Sequence, residues 1–122
     1  MKTTQAQAIT AFVTIRKMER QPINTFTAYK LFKLKKALAD IVDFQSEQEI
    51  KLIEELGGKV SPDGAIDLPE DKKAEYIERH KELEEMECEI DREGKIELYM
   101  KELKEISISD MEALDDFIEW KE

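Results

Sequence analysis

His80 is the only histidine in the chain. One turn before it stand Tyr76 and Ile77, neither of them a metal ligand in a helix seam, so only Glu84, one turn later, could share a metal or orient the ring. General acid–base chemistry needs an oriented partner of that kind, and a solitary helical histidine reads first as a seam or rim residue. Cys88, the single cysteine, cannot form an internal disulfide, which fits a reducing compartment. The five glutamates around it (Glu82, Glu84, Glu85, Glu87, Glu89) are expected to raise its thiol pKa and make it a poor nucleophile. The stretch KVSPDGAIDLPE places Asp63, Gly64, Ile66, Asp67 and Glu70 at positions 5, 6, 8, 9 and 12 of a calcium loop. Lys59, however, stands where the first carboxylate must sit, and Ser61 and Pro62 follow, so the segment reads as a turn. Carboxylates one to four residues apart read as a solvated helix face before they read as a glycosidase pair. Glycines at 57, 58, 64 and 94 make no phosphate loop. No catalytic residue, cofactor site or metal set emerges, and the chain is expected not to be an enzyme.

Charge gives two binding leads. The formal net charge is −10, but residues 1–40 hold eight Lys or Arg against Glu19 and Asp40, a net of +6, which leaves −16 for the rest. Arg16, Lys17, Arg20, Lys30, Lys33 and Lys36 form a basic patch if they share a face. The acidic helix near the C-terminus (Glu112, Asp115, Asp116, Glu119) could neutralise it, so nucleic acid is the disfavoured partner. The second lead is acidic: Glu82, Glu84, Glu85 and Glu87, with Glu47, Glu49, Glu54 and Glu55, could imitate nucleic acid and occupy the basic groove of a defence nuclease. The alternative for these glutamates is a surface made soluble by charge.

The elements that must position these groups follow from periodicity. Thr4 and Gln7 form a capping box, and Ala8, Ala11, Phe12, Ile15 and Met18 then give a first helix, ended before Pro22. From Thr25 to Leu56 one long helix carries Leu31, Leu34, Leu38, Ile41, Leu52, Ile53 and Leu56 on one stripe, interrupted by Gln45 and Gln48. Asn24, Thr25 and Thr27 compete as its cap, and Gly57 and Gly58 close it. The turn at Pro62, Asp63 and Gly64, flanked by Val60, Ile66 and Leu68, predicts a small β-hairpin. Pro69 to about Ile90 is expected as a second helix (Tyr76, Ile77, His80, Leu83, Met86, Ile90) that pairs with the long one as an antiparallel hairpin. Ile96, Tyr99, Met100 and Leu103 fall at helical spacing, whereas Glu87–Asp91 and Glu105–Ser109 alternate and could pair as a two-stranded sheet at the base. Ser109 with Glu112 reads as a capping box for a terminal helix with Met111, Leu114, Phe117 and Ile118 on one face and Trp120 at its end.

Two stretches, QPINTFTAYKLFKLKKAL (21–38) and ISISDMEALDDFIE (106–119), separated by the acidic hairpin, resemble a family of small proteins encoded by tailed phages and prophages of Gram-positive bacteria. The resemblance spans most of the chain in order of segments and rests on helix-forming patterns, not on a catalytic signature. It implies a phage origin, the host bacterial cytoplasm as working compartment and no known enzymatic activity, and it transfers no site residue. The chain departs from the family at Asp110, where the pattern often has proline, and around Arg92 to Lys104.

The reading is thus a mainly α single domain over residues 1–122: a long antiparallel helical hairpin, a β-turn or short β-hairpin at its tip, short N- and C-terminal helices and a small sheet at the base. The expected function is non-catalytic protein binding, to a phage structural protein in virion assembly or to a host protein, with self-association a further option. The alternative is an acidic anti-defence inhibitor. Phe117 and Trp120 are the apolar candidates for a partner contact. No run of apolar residues is long enough to cross a membrane, and MKTTQAQAIT lacks the features of a secretory signal.

Overall fold

A computed structural model of the chain describes residues 1–92 and 94–122. It is mainly helical. A three-residue strand, β1 (Lys2–Thr4), leads into α1 (Gln5–Met18), and α2 (Thr25–Glu55) follows. The capping box is present: the Thr4 hydroxyl accepts from the Gln7 N–H at 3.2 Å while the Gln7 amide oxygen accepts from the Thr4 N–H at 3.1 Å. Of the three candidate caps for α2, Asn24 is the one used, its side chain accepting from the Thr27 N–H at 2.9 Å. Gly57, at φ 80°, takes the left-handed conformation just past α2, and the Gly58 N–H donates to the Ile53 carbonyl at 2.8 Å.

At the far end of α2 the expected tip hairpin is formed by β2 (Lys59–Val60) and β3 (Ile66–Asp67), antiparallel, with Val60 opposite Ile66. A 3-10 turn (Glu70–Lys72) leads into α3 (Lys73–Glu85), which buries no residue fully. Here the first correction arises. The second helix does not run to Ile90: it stops at Glu85, and β4 (Glu87–Glu89) returns to pair antiparallel with β1, placing Thr3 opposite Cys88. The alternation read in 87–91 is therefore a real strand signal, but its partner is the segment before α1 and not 105–109, which forms no strand. The base also contains β5 (Ile96–Tyr99), a 3-10 turn (Met100–Glu102), α4 (Ile108–Leu114) and β6 (Ile118–Lys121), with β5 and β6 parallel. So in place of the helix expected over 96–103 there is a strand over 96–99, with Ile96 and Leu98 buried and Glu97 and Tyr99 exposed, followed by the 3-10 turn. Glu93, within the stretch where the chain departs from the resembled family, lies outside the described residues. The terminal helix is capped by Ser107, not Ser109, through a hydrogen bond from the Asp110 N–H at 3.1 Å, and it ends before Phe117 and Ile118.

The core sits at the base. Ala8, Ala11, Ile15 and Met18 of α1 pack on Leu31, Leu34, Leu38 and Ile41 of α2, closed by Ile90, Ile96, Leu98, Leu103, Leu114, Phe117 and Ile118. Ala8 and Ala11 are fully buried, small side chains that permit close packing of α1 in the core. Leu52, Ile53 and Leu56 are buried outside that cluster, toward the tip. Between the two groups along α2 lies Gln45, 2% exposed, with no partner for its side-chain oxygen among the described residues. Burying an amide unpaired is costly, so Gln45→Met is expected to raise stability by about 1 kcal/mol, read as a higher urea midpoint at unchanged slope.

Candidate functional site

The face of α2 turned away from the core is unusually apolar over its first two turns. Phe26 is 82% exposed, and Tyr29 and Phe32 are 58% exposed each. Three aromatics within seven residues on open helix surface are what a docking patch supplies and what a solvated face avoids. The patch is held rigidly. The Asn24 cap fixes the first turn; the buried Thr27 hydroxyl donates to the Glu102 carboxylate; the Lys30 ammonium donates to the Glu97 carbonyl at 2.8 Å. These contacts anchor α2 to β5 and the turn after it. Lysines frame the aromatics: Lys33 lies 5.5 Å from the Tyr29 ring centroid, and Lys30 and Lys101 lie 5.7 and 5.8 Å from that of Tyr99. The hydrogen bond from Thr27, then that from Asn24, holds the Glu102 carboxyl below the usual carboxylate range, with Lys30 and Lys101 adding to the effect. Behind Phe32 is a hollow of about 270 Å³ between α1 and α2, lined by Ile15, Ile23, Leu31 and Lys35 among others.

The residues expected to form the basic patch are divided between the α1 end and α2. Arg16 and Lys17 are on α1 and Arg20 in the turn after it, and Lys17 is paired with Asp110 at 2.8 Å. Lys35 is paired with Glu19. Lys33 and Lys36 stay exposed beside the aromatics. Of the acidic C-terminal segment it is Asp110 that pairs with the patch, whereas Glu112, Asp115, Asp116 and Glu119, the residues expected to neutralise it, make no ion pair with it among the described residues. The Lys17 hydrogen bond, the largest cause, holds the Asp110 carboxyl below its ordinary value, with its Ser107 contacts helping. A depressed carboxyl stabilises the fold fully above its unfolded pKa, and that stability is lost as pH falls through the folded value. Asp110→Asn is therefore expected to flatten the loss of stability below about pH 4, measured as thermal midpoint against pH, and to lower the midpoint at neutral pH.

The acidic candidates separate by direction. Glu82 and Glu85 lie on an exposed outer stripe of α3 with Glu75 and Glu78, at spacings of three and four. Glu84 instead faces His80, whose Nδ1 is 2.7 Å from its carboxylate; the other ring nitrogen is 3.4 Å from Glu49 on α2, and Tyr76 stacks on the imidazole at 5.4 Å. With Arg79–Glu55 at 2.9 Å, this clasps α3 to α2. The Glu49 contact could not be read from neighbouring positions, because it comes from another helix. Glu87 is an exposed residue of β4.

The two apolar candidates separate. Phe117 is 1% exposed, a core residue and not a partner contact, because the chain turns out of α4 before it. Trp120 lies in β6 and packs partly on the core, with its indole N–H buried. Cys88 does have a raised thiol pKa, but burial is the cause, not the neighbouring glutamates. At the tip, Asp63 accepts from the Ala65 N–H at 3.1 Å and Glu70 pairs with Lys73 at 2.7 Å, so two of the calcium-loop carboxylates are already engaged. Among the described residues no group of three or more His, Cys, Asp or Glu is placed to hold a metal ion, and no helix is long and apolar enough to cross a membrane.

The aromatics of α2 escaped the sequence reading because spacings of three place Phe26, Tyr29 and Phe32 where core residues also fall. The available signal was that Leu31, Leu34 and Leu38 already occupy the opposite side of the helix. No family model, curated protein or solved structure matches the chain.

Proposed function

We propose that this chain is a non-catalytic protein-interaction protein, encoded by a phage and working in the host bacterial cytoplasm, in virion assembly or in engagement of a host protein. The observation that carries the binding role is the open aromatic patch of Phe26, Tyr29 and Phe32 on a helix whose other side is the core. Its lysine frame suits a partner surface with apolar and acidic groups, as exposed aromatic anchors and complementary rim charges do elsewhere. In this reading α2 and α3 form an antiparallel hairpin arm that extends from a folded base. The test compares tagged wild-type protein with a Phe26→Ala/Tyr29→Ala variant in pull-downs from phage-infected host cells. Recovery of the wild-type partner should fall at least tenfold while the thermal midpoint stays within a degree or two. Undiminished recovery would remove the patch from the binding site.

A second reading is favoured by the outer stripe of α3, where Glu75, Glu78, Glu82 and Glu85 are all exposed in one row. Such a row could occupy the basic groove of an anti-phage nuclease. In that case Glu82→Gln/Glu85→Gln, and a moderate rise in salt, should abolish capture, and the aromatic substitutions should leave it unchanged.

A further inference from the structure

The free side of α2 continues past the aromatic patch. Phe26, Tyr29, Lys33, Lys36, Asp40, Asp43, Glu47 and Ile50 follow one another at alternating intervals of three and four, and every one of them is exposed. That spacing is what any open helix side shows; the information lies in the order of the side chains. Read from the N-terminus, the row is two aromatics, two cations, three anions and an isoleucine. The charge reverses sign about the level of Leu38, whose own side chain is buried on the opposite face.

We infer that this row is the seat of a second copy of the same chain, with two α2 helices antiparallel about a two-fold axis near Leu38. The assignment rests on the protein-binding role proposed above and names its partner. In that arrangement Lys36 faces Asp40 of the second copy, Lys33 faces its Asp43, Tyr29 its Glu47 and Phe26 its Ile50. The two-fold repeats each contact, so every cation meets an anion and both aromatic ends find apolar or polar cover. A parallel arrangement sets like charge on like and is disfavoured by the same row. Among the described residues nothing from the rest of the fold covers this row. On the described side chains, Glu49 and Glu55 of α2 are turned toward α3, and Lys35 toward Glu19, leaving the outward charges to the partner.

The size of the contact sets its strength. A strip roughly 40 Å long and one helix wide falls short of the ~800 Å² per partner of a standard stable interface. Exposed ion pairs add little individually. The association should therefore be in the micromolar range and weaken with salt.

Sedimentation equilibrium over a concentration series at low salt tests this. Wild-type protein should dimerise. Lys33→Glu/Lys36→Glu and Asp40→Lys/Asp43→Lys should each weaken self-association at least tenfold, because each variant opposes like charges in its own dimer. Mixed in equal amounts, the two variants should recover the wild-type affinity, since each reversed pair then meets its reversed complement. All four positions are exposed, so circular dichroism melts should report folded variants. A wild type that stays monomeric throughout, or a mixture that fails to associate, would overturn the self-pairing. If a monomeric wild type still loses a captured protein through Phe26→Ala/Tyr29→Ala, the binding role stands and only its assigned occupant falls. If that capture is also unchanged, both fall.

Discussion

Phe117→Ala is expected to destabilise the protein by about 3–5 kcal/mol, whereas Phe26→Ala should change stability by less than about 0.5 kcal/mol. The two residues are chemically identical and both lie near helix ends; burial separates them. Phe117 is 1% exposed and sits where the chain leaves α4 for β6, with its N–H donating to the Leu114 carbonyl and its carbonyl accepting from the Ile96 N–H, both at 2.9 Å. Removing the ring leaves a cavity against a backbone that is tied on both sides and cannot collapse into it. For a chain of 122 residues total stability is expected at about 6–18 kcal/mol, so the loss is a large fraction of the whole. Urea unfolding followed by far-ultraviolet circular dichroism measures both variants. A small effect at Phe117 would mean that the parallel β5·β6 pair does not close the base.

The second large effect is expected at Gly58. A Cβ there would stand 2.6 Å from the Asp67 carbonyl oxygen, 2.7 Å from Leu68 Cδ2 and 2.9 Å from Ile53 Cγ2. One of these is backbone held by the β2·β3 ladder, so it cannot step aside as a side-chain terminus would. Gly58→Ala should cost about 2–3 kcal/mol and accelerate amide exchange from Lys59 to Asp67. Gly64→Ala is the control: its Cβ would meet nothing within 4 Å, leaving only the strain of φ 88°, about 1 kcal/mol. Equal effects at the two glycines would show that the tip does not pack on the end of α2.

The contrast between these sites marks how far local signals reach. The caps of α1 and α2, the stop at Gly57 and the turn at Gly64 were legible because each is set by neighbours within four residues. The strand pairings of the base were not. Ile96, Tyr99, Met100 and Leu103 fit a helix by spacing, and Ile96 and Leu98 fit a strand equally well; what decides is β6, more than twenty residues further on. Likewise β4 showed its alternation, but β1 is three residues long and carries no pattern that could identify it as the partner. Once 118–121 is a strand, Phe117 cannot lie on a helical face, and the partner-contact reading of that residue fails with it. For the candidate site, the lysines were legible as charges, and their pairing with Asp110 and Glu19 was not. The aromatic patch was legible in principle from the leucine stripe on the opposite side of α2, and the packing of α1 on that stripe confirms which side is open.

The ladder between β1 and β4 also governs how the chain can come to its native state. Thr3 pairs with Cys88, and the Met1 amino group donates to the carbonyls of Ile90 and Arg92, so the earliest residues made must wait for ones made much later. Leu114, Phe117 and Ile118 close the same core from the other end of the chain. During synthesis α2 can therefore form as a helix while its leucine stripe has only α1 to cover it. The base is completed only once residues up to Ile118 have left the ribosome. Contacts of such long range slow folding and prolong the exposure of apolar surface, so the chain is open to aggregation while it folds in a way that the finished, highly charged protein is not.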